Sequence, residues 1–121
     1  MSKILLVLAV LVSRLAWAQA PVYAAEDIVN ASDYSPGPFA PNSVVSIFGT
    51  NLSWYSEAFS STVGGGVSTA LSGVEVFVAN SPAPILYVSP SQINFLIPST
   101  VRPGNMMLHV VREGVTGPYW P

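Results

Sequence analysis

Aromatic side chains set among small polar residues are the groups of this chain best suited to bind a ligand. Three of them fall in residues 50–72, a stretch rich in Ser, Thr and Gly, and a fourth lies upstream. Flat aromatic faces beside hydroxyls and amides suit a sugar ring or a protein surface. The alternative is that these rings cap the open end of the domain. The candidate contact residues are Tyr34, Trp54, Tyr55 and Phe59.

Residues that could catalyse a reaction are few. His109 is the one histidine. It shares a face with Met107 and Val111, two residues away on either side, and this is expected to be the outer face of a strand. A Ser-His-Asp triad could use Asp33, but no Gly-x-Ser-x-Gly sequence accompanies it. No catalytic residue is therefore expected, and the chain is predicted not to be an enzyme.

Acidic residues do not form a convincing site either. Glu57 and Glu75 could serve a glycosidase only if their carboxyl groups lay about 5 Å apart. Glu75 is instead expected on the polar face of a strand and Glu57 in a solvated loop. Cysteine is absent, and Asp27 and Asp33 lack the spacing of a calcium loop. Neither a metal nor a cofactor is expected.

The composition sets the size and charge of the protein. Its 121 residues suffice for one domain, with 50 % hydrophobic and only 8 % charged residues. An average soluble domain has about 25 % charged residues. After residue 19 there are two basic residues against six acidic ones, a formal charge of −4. Binding to nucleic acid or to anionic lipid is therefore not expected.

The amino terminus has the pattern of a secretory signal peptide. Lys3 precedes nine apolar residues at 4–12, and small residues follow in Ala16-Trp17-Ala18. A membrane-spanning helix needs about 20 apolar residues, so this run is too short. Residues 1–18 are predicted to be a cleaved signal helix, the alternative being an uncleaved anchor. After cleavage the protein is expected outside the cell and free of the membrane. Cleavage is expected after Ala18, with Ala20 and Ala24 as alternatives.

The remaining chain is patterned for strands rather than helices. Nine glycines and eleven prolines separate short apolar runs, which is typical of an all-β sandwich. Three runs alternate apolar and other residues with a period of two, so their apolar members are expected to face a core. These members are Val45 and Ile47, then Val74, Val76 and Val78, then Met106, Leu108 and Val110.

The uncharged stretch PAPILYVSPSQINFLIP, residues 82–98, contains a polar corner between two apolar runs. We expect a strand at residues 85–88, a corner at 89–92, and a second strand whose buried residues include Ile93 and Phe95. Pro90 fixes φ in the turn, and the Ser89 side chain is suited to hydrogen-bond the backbone. The polar residues are thus interpreted as satisfying a corner rather than as a binding site.

Three strings together resemble a known family. They are IVNASDYSPGPFAPNSVVSIFGTNL (28–52), LSGVEVFVANSPAPILYVSPSQINFLIP (71–98) and RPGNMMLHVVREG (102–114). They are similar to an uncharacterised carboxy-terminal β-domain of secreted acidobacterial proteins and, more loosely, to the IPT/TIG module. YVSPSQINF is the most specific marker. The resemblance implies a bacterial, extracellular, non-catalytic immunoglobulin-like β-sandwich of the IPT/TIG type.

The carboxy-terminal end departs from that family. The family domain continues with a further strand, whereas residues 115–121 include two prolines and are expected to form a truncated tail. The sandwich is then predicted to span 27–114, after a linker at 19–26, and to lack its last strand. A missing strand would leave an unpaired edge, through which the protein is expected to self-associate.

Three functions are compatible with these features. The first is a secreted, non-catalytic structural or adhesive module, with an extracellular protein as partner. The second is a carbohydrate-binding accessory module that contacts polysaccharide through the aromatic loop 50–72. The third, a small secreted hydrolase, is disfavoured by the low charge content.

Overall fold

The computed structural model describes residues 20–59, 66–102 and 106–121, which fold into β-strands and connecting turns. One 3₁₀ turn, Ala25–Asp27, precedes the first strand. Among the described residues there is no helix long and apolar enough to cross a membrane. The predicted signal helix, residues 1–18, lies outside them. The strands are β1 Ile28–Asn30, β2 Val44–Phe48, β3 Glu57–Ala58, β4 Val74–Val78, β5 Ser81–Pro82, β6 Ile85–Val88, β7 Gln92–Leu96, β8 Leu108–Arg112 and β9 Val115–Thr116.

The strands form two antiparallel sheets. One has the order β1-β2-β7-β6-β3 and the other the order β5-β4-β8-β9. The longest ladders are β2 with β7 and β4 with β8, each of five residue pairs. The prediction of an all-β, immunoglobulin-like sandwich is confirmed.

The core lies between the sheets and follows the predicted alternation. In β4 the three valines are buried, while Glu75 and Phe77 turn to the other face. Val110 and Leu108 of β8, the neighbouring strand in the same sheet, lie beside the β4 valines and are buried in the same core. Each such side chain contributes about 1.5–3 kcal/mol by its burial, and with no cysteine in the chain this packing takes the place of disulfides.

The polar corner has the structure that its sequence predicts. The Ser89 N–H donates to the Gln92 carbonyl at 2.8 Å, and the Ser91 N–H donates to Ser89 Oγ at 3.3 Å. Ile93 and Phe95 are fully buried. β7 begins at Gln92, which is the last residue of the predicted corner and one residue before the predicted start of the strand.

The segment expected to be a linker is packed into the domain at residues 21–24, so this prediction needs correction. Val22 and Thr50 exchange two backbone hydrogen bonds of 2.9 Å. Tyr23 is only 4 % exposed and belongs to the hydrophobic core. One paired residue and one buried ring leave no alternating pattern in the sequence, which is why the packing of this segment is not visible there.

The carboxy-terminal segment pairs with the edge of β8 that was expected to be bare, so that prediction is wrong. β9 pairs with β8 at two positions, and the Gly117 N–H donates to the Val110 carbonyl at 2.8 Å. Trp120 then exchanges two hydrogen bonds with Leu108, of 2.7 and 2.9 Å. From Gly117 to Trp120 the tail advances three residues, while β8 advances only two between their partners, Val110 and Leu108. The extra residue in the tail makes a β-bulge. Pro118 lies in this bulge, where no N–H is needed.

A tyrosine clasp joins the two ends of the described chain across β8. We use this name for Tyr23 together with Val110, Pro118 and Trp120. The Tyr23 hydroxyl accepts from the Val110 N–H at 2.8 Å and donates to the Pro118 carbonyl at 2.5 Å. Trp120 Nε1 donates to the Tyr23 carbonyl at 2.9 Å. The clasp satisfies the backbone groups that the bulge separates.

Candidate functional site

The aromatic loop starts from a backbone frame supplied by the polar corner. The Gly49 N–H donates to the Ser91 carbonyl, and the Leu52 N–H donates to the Pro90 carbonyl, both at 3.1 Å. Leu52 is fully buried and acts as the anchor of the loop. The corner therefore positions the residues that follow Leu52, although it carries no ligand-binding group of its own.

Trp54 is held by two charged residues at the end of β8. The guanidinium of Arg112 lies 4.3 Å from the centre of the Trp54 ring, which is a cation–π contact. Trp54 Nε1 also donates to Glu113 Oε2 at 3.1 Å. The side chain nevertheless stays 43 % exposed. One part of the ring is thus fixed against the protein while another part is presented to solvent.

Arg112 is a charged residue placed among core residues. It pairs with Val74 in the β4–β8 ladder, on the face that carries Val110 and Leu108, and it is 1 % exposed. Its Nη1 donates to the Asn51 carbonyl, while its Nε has no hydrogen-bond partner. Burial lowers the pKa of Arg112, and the charge of Glu113 acts in the opposite direction.

Sequence reasoning treated Arg112 only as part of the net charge. Its position did contain a signal, because the alternation of Leu108 and Val110 continues to it with a period of two. A charged residue at an inward position of a strand is unusual, since buried charges need partners. We call Trp54, Arg112, Glu113 and the Asn51 carbonyl the Trp54 site.

Tyr55 and Phe59 are exposed on the same loop but do not join the Trp54 ring. Tyr55 is 68 % exposed, and its N–H donates to Ser53 Oγ at 3.2 Å. The Phe59 N–H donates to the Leu86 carbonyl of β6 at 2.9 Å. In the described part of the chain, no ring contact links these two residues to each other or to Trp54. Their role in contacting a ligand stays a prediction.

Tyr34, the fourth predicted contact residue, is placed against β2. Its ring centre lies 6.2 Å from that of Phe48, with the rings tilted by 52°. Its backbone has a φ of 59°, which is uncommon for a residue with a side chain. Within the described ranges Tyr34 has no ring contact with the aromatic loop, so it is a separate exposed group.

Three aromatic rings stack on the outer face of the β5-β4-β8-β9 sheet, which we call the second sheet. The sequence did not indicate that they form a group. His109 lies between Phe77, at 5.1 Å between ring centres, and Tyr119, at 4.1 Å. His109 faces outward as predicted, but its neighbours leave it 8 % exposed, and burial lowers its pKa. Because the ring faces cover one another, this stack offers a ligand mainly the outer side of Tyr119.

The two acidic residues that were considered as a catalytic pair lie in different sheets. Glu57 lies on β3 and accepts a 2.9 Å hydrogen bond from Ser72 Oγ, whereas Glu75 lies on β4 in the other sheet. Within residues 20–59, 66–102 and 106–121, no group of three or more His, Cys, Asp or Glu side chains is placed to hold a metal.

A cavity of about 330 Å³ opens at the end of the sandwich opposite the Trp54 site. It is lined by the start of β1 and β8 and the end of β4, through Ile28, Leu108 and Val78, and none of the described residues that line it has a charged side chain. The Trp54 site lies where β8 ends and β4 begins. The domain therefore has an apolar end and an end that carries a buried cation.

Comparison with known protein families gives one match. The model of the IPT/TIG domain matches residues 30–119, which is most of the chain and includes both sheets. No curated protein and no solved structure matches the chain significantly.

Proposed function

The chain belongs to the IPT/TIG domain family, and from this premise we propose that it is a secreted adhesive module that binds an extracellular protein through the Trp54 site. Membership of the family supports a non-catalytic structural or adhesive module in general. The finer parts of the proposal, which are export and the binding surface, rest on the residues described above.

Export is supported by the first eighteen residues. They combine a basic start, nine consecutive apolar residues and small residues before Gln19. Tyr23 supports cleavage after Ala18 over cleavage after Ala24, because the later cut would remove a buried core residue. An adhesive module outside the cell also needs no cysteine if its core is well packed.

The observation that carries the binding proposal is the exposed ring of Trp54. Tryptophan is among the residues most enriched at the centres of protein interfaces. Arg112 and Glu113 contact this ring in the free protein, and 43 % of the side chain still lies open to a partner. Tyr55 adds an exposed aromatic surface on the same loop.

A second candidate is binding of a neutral polysaccharide at the same surface. It is favoured by the same ring, since a pyranose can stack on an exposed tryptophan face. Both candidates require Trp54, so removing its ring tests the surface, and treatment of the target distinguishes protein from sugar.

The test measures binding of the labelled mature protein to the surface of the cells that produce it. Trp54→Ala is expected to weaken binding by about tenfold or more, as interface tryptophans do. Tyr119→Ala is the matched control, because Tyr119 is a comparably exposed ring on the outer face of the second sheet, and it should bind like the wild type.

Treatment of the cells identifies the target. Protease treatment that abolishes binding supports the adhesive proposal. Retention after protease, together with Trp54-dependent pull-down by insoluble neutral polysaccharide, selects the second candidate instead. Equal binding by Trp54→Ala and wild type would overturn both, since neither works without this ring.

A further inference from the structure

Arg112 is a buried cation with too few partners. It is 1 % exposed, and among the described residues its guanidinium makes one hydrogen bond, to the Asn51 carbonyl, and one contact with the Trp54 ring. Its Nε is buried and has no acceptor. A guanidinium has five N–H donors in a planar fork. One of them serves the Asn51 carbonyl, and the buried Nε–H serves no acceptor.

Such an arrangement is costly in the free protein. Removing a cation from water is unfavourable unless an anion and further hydrogen bonds replace its hydration. The neighbouring Glu113 is the nearest candidate anion in sequence, but its Oε2 accepts from Trp54 Nε1, and no ion pair joins it to Arg112 in the described part of the chain.

We propose that Arg112 is the binding site for the carboxylate of an acidic side chain on the protein partner, reached when the Trp54 ring moves off the guanidinium. The inference rests on the proposed function, because it names the chemistry recognised at the same site. A carboxylate matches the planar fork of arginine with two parallel hydrogen bonds. The orphaned Nε is one of the donors such a pair uses.

Arg112 and Trp54 differ in how firmly the structure holds them. Arg112 is fixed within the β4–β8 ladder, whereas Trp54 lies in a loop and is 43 % exposed. Besides the stacking on Arg112, one side-chain hydrogen bond, to the exposed Glu113, holds the indole among the described residues. The Trp54 side chain can therefore move away from Arg112 without disturbing the sheets.

The isolation of Arg112 favours one carboxylate over a polyanion. Beyond the predicted signal peptide the chain has one other basic residue, Arg102. Phosphate chains and nucleic acids are bound by clusters of cations, and a domain with a charge of −4 provides none. A single acidic side chain surrounded by apolar residues fits a single guanidinium beside exposed aromatic rings.

The test follows the Nε–H signal of Arg112 by NMR in the mature protein. The probes are two end-blocked peptides of identical apolar sequence, one with a central Glu and one with Gln. The Glu peptide is expected to shift the Arg112 Nε–H and the Trp54 indole N–H signals together, and the Gln peptide to shift neither. The Arg102 signal is the internal control, since Arg102 is exposed.

Three variants separate recognition from a structural role. Arg112→Met should abolish the response to the Glu peptide while the melting temperature stays equal or rises, since a costly buried charge is removed. Arg112→Lys keeps the charge but loses the fork, and should weaken binding about tenfold. Glu113→Gln removes the adjacent negative charge while its amide oxygen still accepts from Trp54, so it should strengthen binding several-fold.

Several results would overturn the inference. Equal shifts with the Glu and Gln peptides would mean that no carboxylate is recognised. A large fall in melting temperature for both Arg112→Met and Arg112→Lys would assign Arg112 a structural role. A stronger response to oligogalacturonate than to the Glu peptide would point to an acidic polysaccharide instead. If Arg112→Met keeps cell-surface binding that Trp54→Ala loses, the adhesive function stands and this inference fails.

Discussion

Tyr23 shows how one hydroxyl can replace part of a strand. β8 loses its regular partner where the tail bulges, and the Tyr23 hydroxyl supplies an acceptor to the Val110 N–H and a donor to the Pro118 carbonyl. Because Val110 is fully buried, its N–H would otherwise lie unpaired away from water. The phenol thus performs the role of a backbone group at one position.

Removing that hydroxyl is expected to destabilise the domain. Tyr23→Phe keeps the buried ring but leaves a backbone donor and an acceptor unpaired, which should lower the free energy of unfolding by about 1–3 kcal/mol. The measurement is urea unfolding followed by circular dichroism. Tyr119→Phe is the control, because the Tyr119 ring is half exposed, and it should change stability little. Equal losses in the two variants would contradict the clasp.

Tyr23 is also expected to make the stability of the domain fall at alkaline pH. Burial raises the pKa of Tyr23 from 10.0 to about 12. Above pH 10 the unfolded chain therefore releases this proton before the folded protein does, so the stabilisation present below pH 10 is lost as the pH rises through 12. In Tyr23→Phe this part of the alkaline decline should be missing, which unfolding curves at successive pH values would show.

At the scale of elements, the outer stack ties three segments together. Phe77 lies on β4, His109 on β8 and Tyr119 on the tail, so the rings reinforce the backbone pairing across that sheet. Stacked aromatic neighbours of this kind contribute about 0.5–1.5 kcal/mol beyond their buried area. Covering His109 on both sides also removes it from water, which disfavours its charged form.

An acid-dependent loss of stability is expected from this stack. Burial lowers the pKa of His109 below 6.5 in the folded protein. The stabilisation is therefore complete above pH 6.5 and is lost as the pH falls through the folded-state pKa, because the unfolded chain binds the proton first. His109→Phe keeps a stacking ring without a titrating group.

The difference in melting temperature between His109→Phe and wild type, measured from neutral to acidic pH, isolates this effect. The two proteins differ at this one position, so the comparison reports the imidazole. The difference should shift in favour of the variant as the pH falls below 6.5. A difference that does not change with pH would contradict the buried position of the imidazole.

Elements with a repeating pattern could be predicted from the sequence, and elements held by single distant contacts could not. β4, β7 and most of β8 alternate over five residues, so their inward faces were predicted correctly. β9 has two residues, and the tail beyond it is joined to Tyr23 by two hydrogen bonds. A contact between residues 95 positions apart leaves no local signal.

The candidate site divides in the same way. Trp54 was identified because a large ring in a polar loop is conspicuous by residue type alone. Its support by Arg112 and Glu113 was not predicted, since they lie about 60 positions further along the chain. The sequence thus indicated which residue is presented to a ligand, while the residues that hold it became visible only in the folded chain.

At the scale of the whole molecule, the amino-terminal segment and the tail stabilise each other. Val22 forms an isolated antiparallel bridge with Thr50, and Tyr23 and Trp120 are joined across β8. The tail in turn covers the outer edge of β8, which would otherwise be free to pair with another chain. Loss of either segment should therefore weaken the other.

The position of signal cleavage can be tested on this basis. The exported protein is expected to begin at Gln19, as read by amino-terminal sequencing. A chain produced from Ala25 onward should melt at lower temperature than one that begins at Gln19, and protease should remove its residues 117–121 faster, because the clasp is gone. A stable, protease-resistant chain starting at Ala25 would show that residues 19–24 are dispensable.

The clasp also affects the timing of folding. Its hydrogen bonds join residues 95 and 97 positions apart, so the ribosome must release nearly the whole described chain before they can form. Contacts this distant in sequence close late and slow the folding reaction. If the protein is exported as proposed above, a domain that closes this late stays incomplete until almost all of the described chain has been synthesised.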